Sequence, residues 1–261
     1  MTIATAFAGA LQAAEAQPTF VSALQINVAF GRQAALEAYA LKAIEANDQV
    51  GSDFYWTTTQ TVIGDTTTYS FIRQVNSFAE LEPPPQNAVV QAFGPADAAK
   101  LMDDLAPAVT AVRSGVWAHR PDLSRPPAER DTPATLIQTI ILTTKPGTQR
   151  EFEEYVGKIG EASRQLDSPL YWQLYSPVVG AGTDYGVVIP RWGYAELDTP
   201  PPQLPDLLEE AFGRREATRL LKIASETILE IETSLSTIRL DLSRQPAADE
   251  GDMGGQSVTG D

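Results

Sequence analysis

The stretch "GRQAALEAYALKAIEA", residues 31–46, is answered 116 residues later by "GTQREFEEYVGKIGEA", residues 147–162. Seven of the 16 positions agree in register, Gly31 with Gly147, Gln33 with Gln149, Glu37 with Glu153 and Tyr39 with Tyr155 among them, where unrelated chains of ordinary composition would share about one. The register continues: Tyr55-Trp56 returns as Tyr171-Trp172, Val62-Ile63-Gly64 as Val178-Val179-Gly180, Tyr69 as Tyr185 and Ala79-Glu80-Leu81 as Ala195-Glu196-Leu197. It then lengthens to 119, matching Ala92-Phe93-Gly94 to Ala211-Phe212-Gly213 and Asp122-Leu123-Ser124-Arg125 to Asp241-Leu242-Ser243-Arg244. A period this long describes a domain written twice, not a solenoid of short repeats. The expected organisation is an N-terminal extension or signal-like segment at 1–17, a first repeat at 18–125, the Pro-rich charged linker "PPAERDTP" at 126–133, a second repeat at 134–244, and an acidic tail at 245–261.

Each copy checks the reading of the other. Leu24, Ile26 and Val28 alternate with Ala23, Gln25 and Asn27, as Ile140 and Leu142 alternate with Thr139, Ile141 and Thr143, the mark of a half-buried first strand. Leu36, Tyr39, Ala40 and Ala43, matched by Phe152, Tyr155, Val156 and Ile159, fall at i, i+3, i+4, i+7 and predict a helix with one face on a sheet. "DFYWTTTQTVIG" and "TTTYSFIRQV" read as two strands joined at Gly64-Asp65. Ala88 to Val112 reads as a helix or broken pair of helices, with Pro95 and Pro107 as breaks, and "GVWAHRP" as the closing strand. The order is β-α-β-β-α-β, the ferredoxin-like arrangement, and the fold class expected is α+β.

That order, the "KPGTQREFEEYVGKIGEASRQ" opening of the second copy and the two Tyr-Trp strands resemble the dimeric α+β barrel superfamily, which includes antibiotic-biosynthesis monooxygenase and NIPSNAP-like domains. The resemblance covers nearly everything from 18 to 244. It implies two ferredoxin-like units packed sheet to sheet around a shared cavity, here within one chain. It also raises haem, which some tandem barrels of the superfamily, the chlorite dismutase and dye-decolourising peroxidase groups, hold through a histidine on a second-half helix. The second copy has no histidine, so no cofactor is expected.

Composition narrows the partners. With 34 Asp+Glu against 19 Lys+Arg the net charge is −15, and no basic patch offsets it, so neither nucleic acid nor an anionic membrane surface is an expected partner. The opening "MTIATAFAGALQAAEA" is too short and Ala-rich to span a bilayer. The small-residue run Ala14-Glu15-Ala16 resembles a cleavage site, but the first basic residue is Arg32; a cytoplasmic location is favoured and export is the alternative. The tail "QPAADEGDMGGQSVTGD" has almost no large apolar residue and is expected to be disordered. There is no cysteine, hence no disulfide, thiolate nucleophile or zinc-thiolate site. Further homo-oligomerisation is left open.

No catalytic motif stands out. "GAGTDYG" at 180–186 mimics a dinucleotide fingerprint but lies between two strands, where a hairpin turn is the better reading. No G-x-S-x-G, P-loop or H-E-x-x-H occurs, and no metal ligand set is found. What remains is a strand face. Phe54, Trp56 and Thr58 should meet the helices, leaving Tyr55, Tyr171 and Tyr175, with Gln25 and Asn27 from the first strand and Trp117 and His119 from the last, to line the space between the sheets. An aromatic wall with a few amides and hydroxyls suits a planar, partly polar organic molecule. The expected partner is therefore a small hydrophobic or aromatic compound. The enzymatic reading is a cofactor-free oxygenase with His119, the sole histidine, as base and Asn27 and Tyr55 orienting the substrate; the alternative is a non-catalytic NIPSNAP-like binding or interaction protein.

Overall fold

A computed structural model of the 261-residue chain describes residues 20–82 and 87–246; the N-terminal 1–17 and nearly all of the tail lie outside the described residues. The elements run β1 (Phe20–Val28), α1 (Gln33–Gln49), β2 (Thr57–Ile63), β3 (Thr68–Val75), α2 (Ala88–Leu105), β4 (Val109–His119), β5 (Leu136–Thr144), α3 (Gln149–Gln165), β6 (Gln173–Val179), β7 (Asp184–Arg191), α4 (Leu204–Phe212), α5 (Arg214–Thr227) and β8 (Ile228–Ile238). All strand pairings are antiparallel and the sheet closes on itself in the order β1-β3-β2-β8-β5-β7-β6-β4. The fold is thus α+β with helices outside an eight-stranded barrel. The barrel that the resemblance implies is present: the β2–β8 and β4–β6 ladders join the two four-stranded sheets edge to edge, which removes the four exposed edges that separate sheets would keep.

The helices follow their apolar stripes. Phe152, Tyr155, Val156, Ile159 and Ala162 of α3 are all buried, and pack with Leu207, Leu208 and Leu220 of α4 and α5 on Trp172, Leu174 and Tyr185. On the other side a smaller cluster joins Leu36 and Ala40 of α1 to Val28, Tyr69 and Leu105. Two boundaries differ from expectation. The break in α2 sits at Gly94, with φ 81 and ψ 163, and α4 ends on Gly213 at φ 78 and ψ 161; both need a conformation costly for any residue with a Cβ, and Pro95 only follows the break. The helix stops at Leu105, because Val109, Thr110 and Val112 enter β4 and pair with β1 as β-branched residues prefer.

The ends of the barrel are stitched by two short segments in matching ways. After β4, residues 121–125 lie on β6, and after β8, residues 240–244 lie on β2. Trp56 Nε1 donates to the Leu242 carbonyl at 2.9 Å and Trp172 Nε1 to the Leu123 carbonyl at 2.8 Å. Ser243 Oγ accepts the Thr58 amide, and Ser124 Oγ that of Leu174. Arg239 is held by both Asp241 oxygens and donates to Glu37 at 2.7 Å, which also accepts the Tyr69 hydroxyl; Arg120 does the same with Asp122, Glu153 and Tyr185. These charge-assisted bonds hold the Glu37, Asp122 and Asp241 carboxyls below their ordinary values and, with burial, push the Tyr69 and Tyr185 phenols up.

Candidate functional site

The two helix-covered faces of the barrel share a backbone plan but differ in side-chain volume. On α1, Ala40 and Ala43 stand where α3, 116 residues on, carries Val156 and Ile159; on α2, Ala88 and Val89 stand where α4, 119 residues on, carries Leu207 and Leu208. The larger set fills the space beneath its helices. The smaller set leaves a cavity of about 630 Å³ between α1, α2 and the strands below, within the range of organic-ligand sites.

Its wall is mostly apolar and aromatic: Leu24 and Ile26 of β1, Leu36, Tyr39, Ala40 and Ala43 of α1, Phe54 and Trp56 before β2, Phe71 of β3, and Val116 and Val179 towards the β4–β6 seam. Leu24 is 38% exposed although it faces this hollow, so apolar surface is left uncovered there. Few polar groups converge on it. The Asn47 amide is spent on the Ala43 carbonyl at 2.7 Å. Tyr39 has its phenol pushed up by burial. The Arg73 guanidinium lies 3.9 Å from the centre of the Phe54 ring and donates to the Glu80 carbonyl at 3.0 Å; burial pulls its value down. No carboxylate, imidazole or amine belongs to the wall among the described residues. None of these residues apart from those already assigned to the helix-facing set was signalled by a motif; the signal available was the volume difference between matched buried positions.

The residues expected to form the site lie elsewhere. Opposed residues of antiparallel strands share a face, and Val21–Trp117, Gln25–Arg113 and His119–Tyr175 are opposed pairs, so Gln25, Asn27, Trp117, His119 and Tyr175 do turn to the barrel interior, away from the cavity. That interior is well filled: Thr57, Thr59, Thr61, Ile137, Gln173 and Ser236 are each less than 9% exposed. His119 and Tyr175 meet, with ring centres 5.1 Å apart, and the Tyr175 hydroxyl donates to Gln173 Oε1 at 2.8 Å. Burial pushes the Tyr175 phenol up and pulls the His119 imidazole down. Trp117 lies over Gly115, where a Cβ would meet its ring at 2.7 Å. Asn27 is not with them: it is opposed to Ala111, eight residues along β4 from His119, roughly 26 Å at strand rise, and its amide is engaged by Asp65 and Thr68. Tyr55 sits before β2 under the Arg244 guanidinium, and Tyr171 hydrogen-bonds to the Pro190 carbonyl and Glu196. None of Gln25, Asn27, Tyr55, Trp117, His119, Tyr171 and Tyr175 lines the 630 Å³ cavity, which lies on the opposite face of the first-half strands.

The residues present do not fit haem in the second half. The space under α3 to α5 is occupied by Phe152, Tyr155, Ile159, Trp172 and Leu174, and the chain's one histidine is His119. Among the described residues no group of three or more Asp, Glu, His or Cys is placed to hold a metal ion, and no helix is long and apolar enough to cross a membrane.

No family model and no curated protein matches the sequence. Solved structures do share its fold: an anthrone oxidase-like protein at TM-score 0.50 and 12% identity, over 85% of this chain and 92% of that one, and a chlorite dismutase from Candidatus Nitrospira defluvii in complex with imidazole at TM-score 0.50 and 9% identity, over 90% and 96%. At these identities the likeness is one of architecture, the α+β barrel.

Proposed function

We propose that this chain is a tandem repeat of two ferredoxin-like units in which the first has been hollowed to bind a small hydrophobic or aromatic molecule, while the second is packed solid and serves as scaffold. The duplication is supported by the 116-residue register, by the matched ladders β4-β1-β3-β2 and β8-β5-β7-β6, and by the paired Trp, Ser and Arg contacts at 121–125 and 240–244. The single observation that carries the binding reading is the cavity: about 630 Å³ walled by Tyr39, Phe54, Trp56 and Phe71, beneath helices that carry Ala40, Ala43 and Ala88 where the other half packs Val156, Ile159 and Leu207. Without a titratable base in its wall, the cavity favours binding over acid–base turnover.

A thermal-shift panel of planar aromatic compounds tests this. Ligands should raise the melting temperature of the native protein. Ala43→Ile, which copies Ile159 into the first half, should abolish the shift while leaving the unliganded melting point unchanged or higher. Shifts that survive this substitution would place the ligand elsewhere.

One observation favours a second reading, the cofactor-free oxygenase. His119 Nε2 is buried without a hydrogen-bond partner, a costly state that a ligand atom reaching Tyr175 and Gln173 from the barrel mouth would relieve. In that reading His119 is the base and Tyr175 and Trp117 its neighbours, and His119→Gln should abolish oxygen consumption with an activated aromatic substrate.

A further inference from the structure

The cavity wall holds one formal charge, the Arg73 guanidinium, and no close ion pair engages it among the described residues. Arg73 is on β3 two residues from Phe71, on the face that meets the helices. The matching position in the second half is Ile189, packed against that half's apolar cluster, so the fold itself accepts an aliphatic side chain there. Among the described residues no carboxylate lies within 4.0 Å of the Arg73 guanidinium. Glu80 and Asp53 act on it only through space: Glu80 offers its backbone carbonyl and turns its carboxylate to the Asn76 amide and Ser77 hydroxyl, at 3.2 and 3.3 Å. A guanidinium kept at an apolar wall in this way incurs a desolvation cost that a counter-charge would offset. Its planar fork of donors matches the paired oxygens of a carboxylate or a phosphate, and the flat aromatic hollow beside it suits the planar one of the two, the carboxylate. This Arg73 stands in a chain carrying 34 acidic residues against 19 basic, in a hollow whose wall contains no acid of its own.

We propose that the molecule bound in this cavity is a planar aromatic monocarboxylate, its rings between Tyr39, Trp56 and Phe71 and its carboxylate on Arg73. The proposal rests on the binding reading above and names the ligand class for the same site. Arg73 then acts as a specificity-determining residue: it admits the anion and discriminates against an isosteric neutral molecule, which would leave the guanidinium without a counter-charge against an apolar wall.

The test uses the full chain and two fluorescent probes of nearly equal shape, 9-anthracenecarboxylate and 9-anthracenemethanol, titrated at neutral pH. The native protein should bind the carboxylate about tenfold or more tightly than the alcohol, as expected for a charge-assisted pair. Arg73→Met should erase that preference and leave the alcohol's affinity within about threefold. Arg73→Lys, which keeps the charge and loses the fork, should retain part of it. Ala43→Ile should abolish binding of both probes. Equal binding of the two probes by the native protein, both lost in Ala43→Ile, would overturn the carboxylate assignment and leave the cavity reading standing. A preference that survives Arg73→Met would overturn the role of Arg73. Failure of the native protein to bind either probe would overturn both. The comparison of two probes on the unaltered protein holds even if an Arg73 variant folds poorly.

Discussion

Trp56 and Trp172 occupy matched stations, each 7% exposed and each donating to the carbonyl of a segment contributed by the other half, yet their surroundings differ. Trp172 is enclosed by the packed second-half cluster, whereas Trp56 borders the cavity. Trp172→Ala should therefore cost about 3–5 kcal/mol in urea unfolding, and Trp56→Ala measurably less, because part of its environment is already void. Trp172→Phe, which leaves the Leu123 carbonyl without its donor, should cost about 1–3 kcal/mol. Equal losses for the two alanine variants would argue against the hollow. His119 gives a second check. Its imidazole is pulled down by burial, so the unfolded chain binds the proton first as pH falls. Its contribution to stability is full above the unfolded value near 6.5 and declines as pH drops through that value towards the lower folded one. The acids held low by arginines lose their contribution only further down, below about 4.5. As His119 is the only histidine, His119→Gln should flatten the melting-temperature profile between about pH 7 and 5 and leave the acid limb unchanged. At this scale the helix-facing placement of Trp56 was legible from strand alternation, though not that it would border a cavity. The cavity was not, because Ala40 and Ala43 satisfy a helical stripe as well as Val156 and Ile159 do, and periodicity registers polarity without volume. Arg73 was hidden in the same way, as one charge in an otherwise strand-like run.

Among the elements, those that periodicity defines, such as β1, α1, β5 and α3, came within a few residues of their observed bounds. The junction between α2 and β4 did not, since Ala-rich helix and β-branched strand adjoin across Pro107 with no turn residue to separate them. The role of the Asp-Leu-Ser-Arg segments also needed the structure. Their match at 122–125 and 241–244 was visible, but that each lies on the opposite half follows only from barrel closure. Leu242 is 1% exposed, Ser243 and Arg244 are 9% exposed, and Gln245 still reaches Trp56 and Thr57. A chain ending at Pro246 should therefore melt like the full protein. A chain ending at Arg239 loses the acceptors of Trp56 Nε1 and the Thr58 amide together with a buried leucine, and should lose several kcal/mol or fail to fold. Indistinguishable melts of the two truncations would contradict the stitching described.

For the molecule as a whole, neither half closes alone. β2 and β6 find their outer partners, β8 and β4, in the other half, and the salt-linked ends cross in both directions. Fragments 1–133 and 134–261 should each be aggregation-prone when expressed singly, because unpaired strand edges are exposed, and should recover a cooperative melt when co-expressed. A first fragment that folds alone would argue that closure is incidental. The order of strands and helices was legible at this scale because the two stretches matched in register corroborate each other. Closure of the barrel came only from the resemblance to the dimeric α+β barrel superfamily, since the edge pairing it depends on is encoded by no local pattern. The central claim, that ligand space lies between α1, α2 and the first-half strands and not within the barrel, is tested most directly by a crystal structure of the protein with 9-anthracenecarboxylate. The account predicts density bounded by Tyr39, Trp56 and Phe71 with the carboxylate on Arg73; density inside the barrel against His119 and Tyr175 would contradict it.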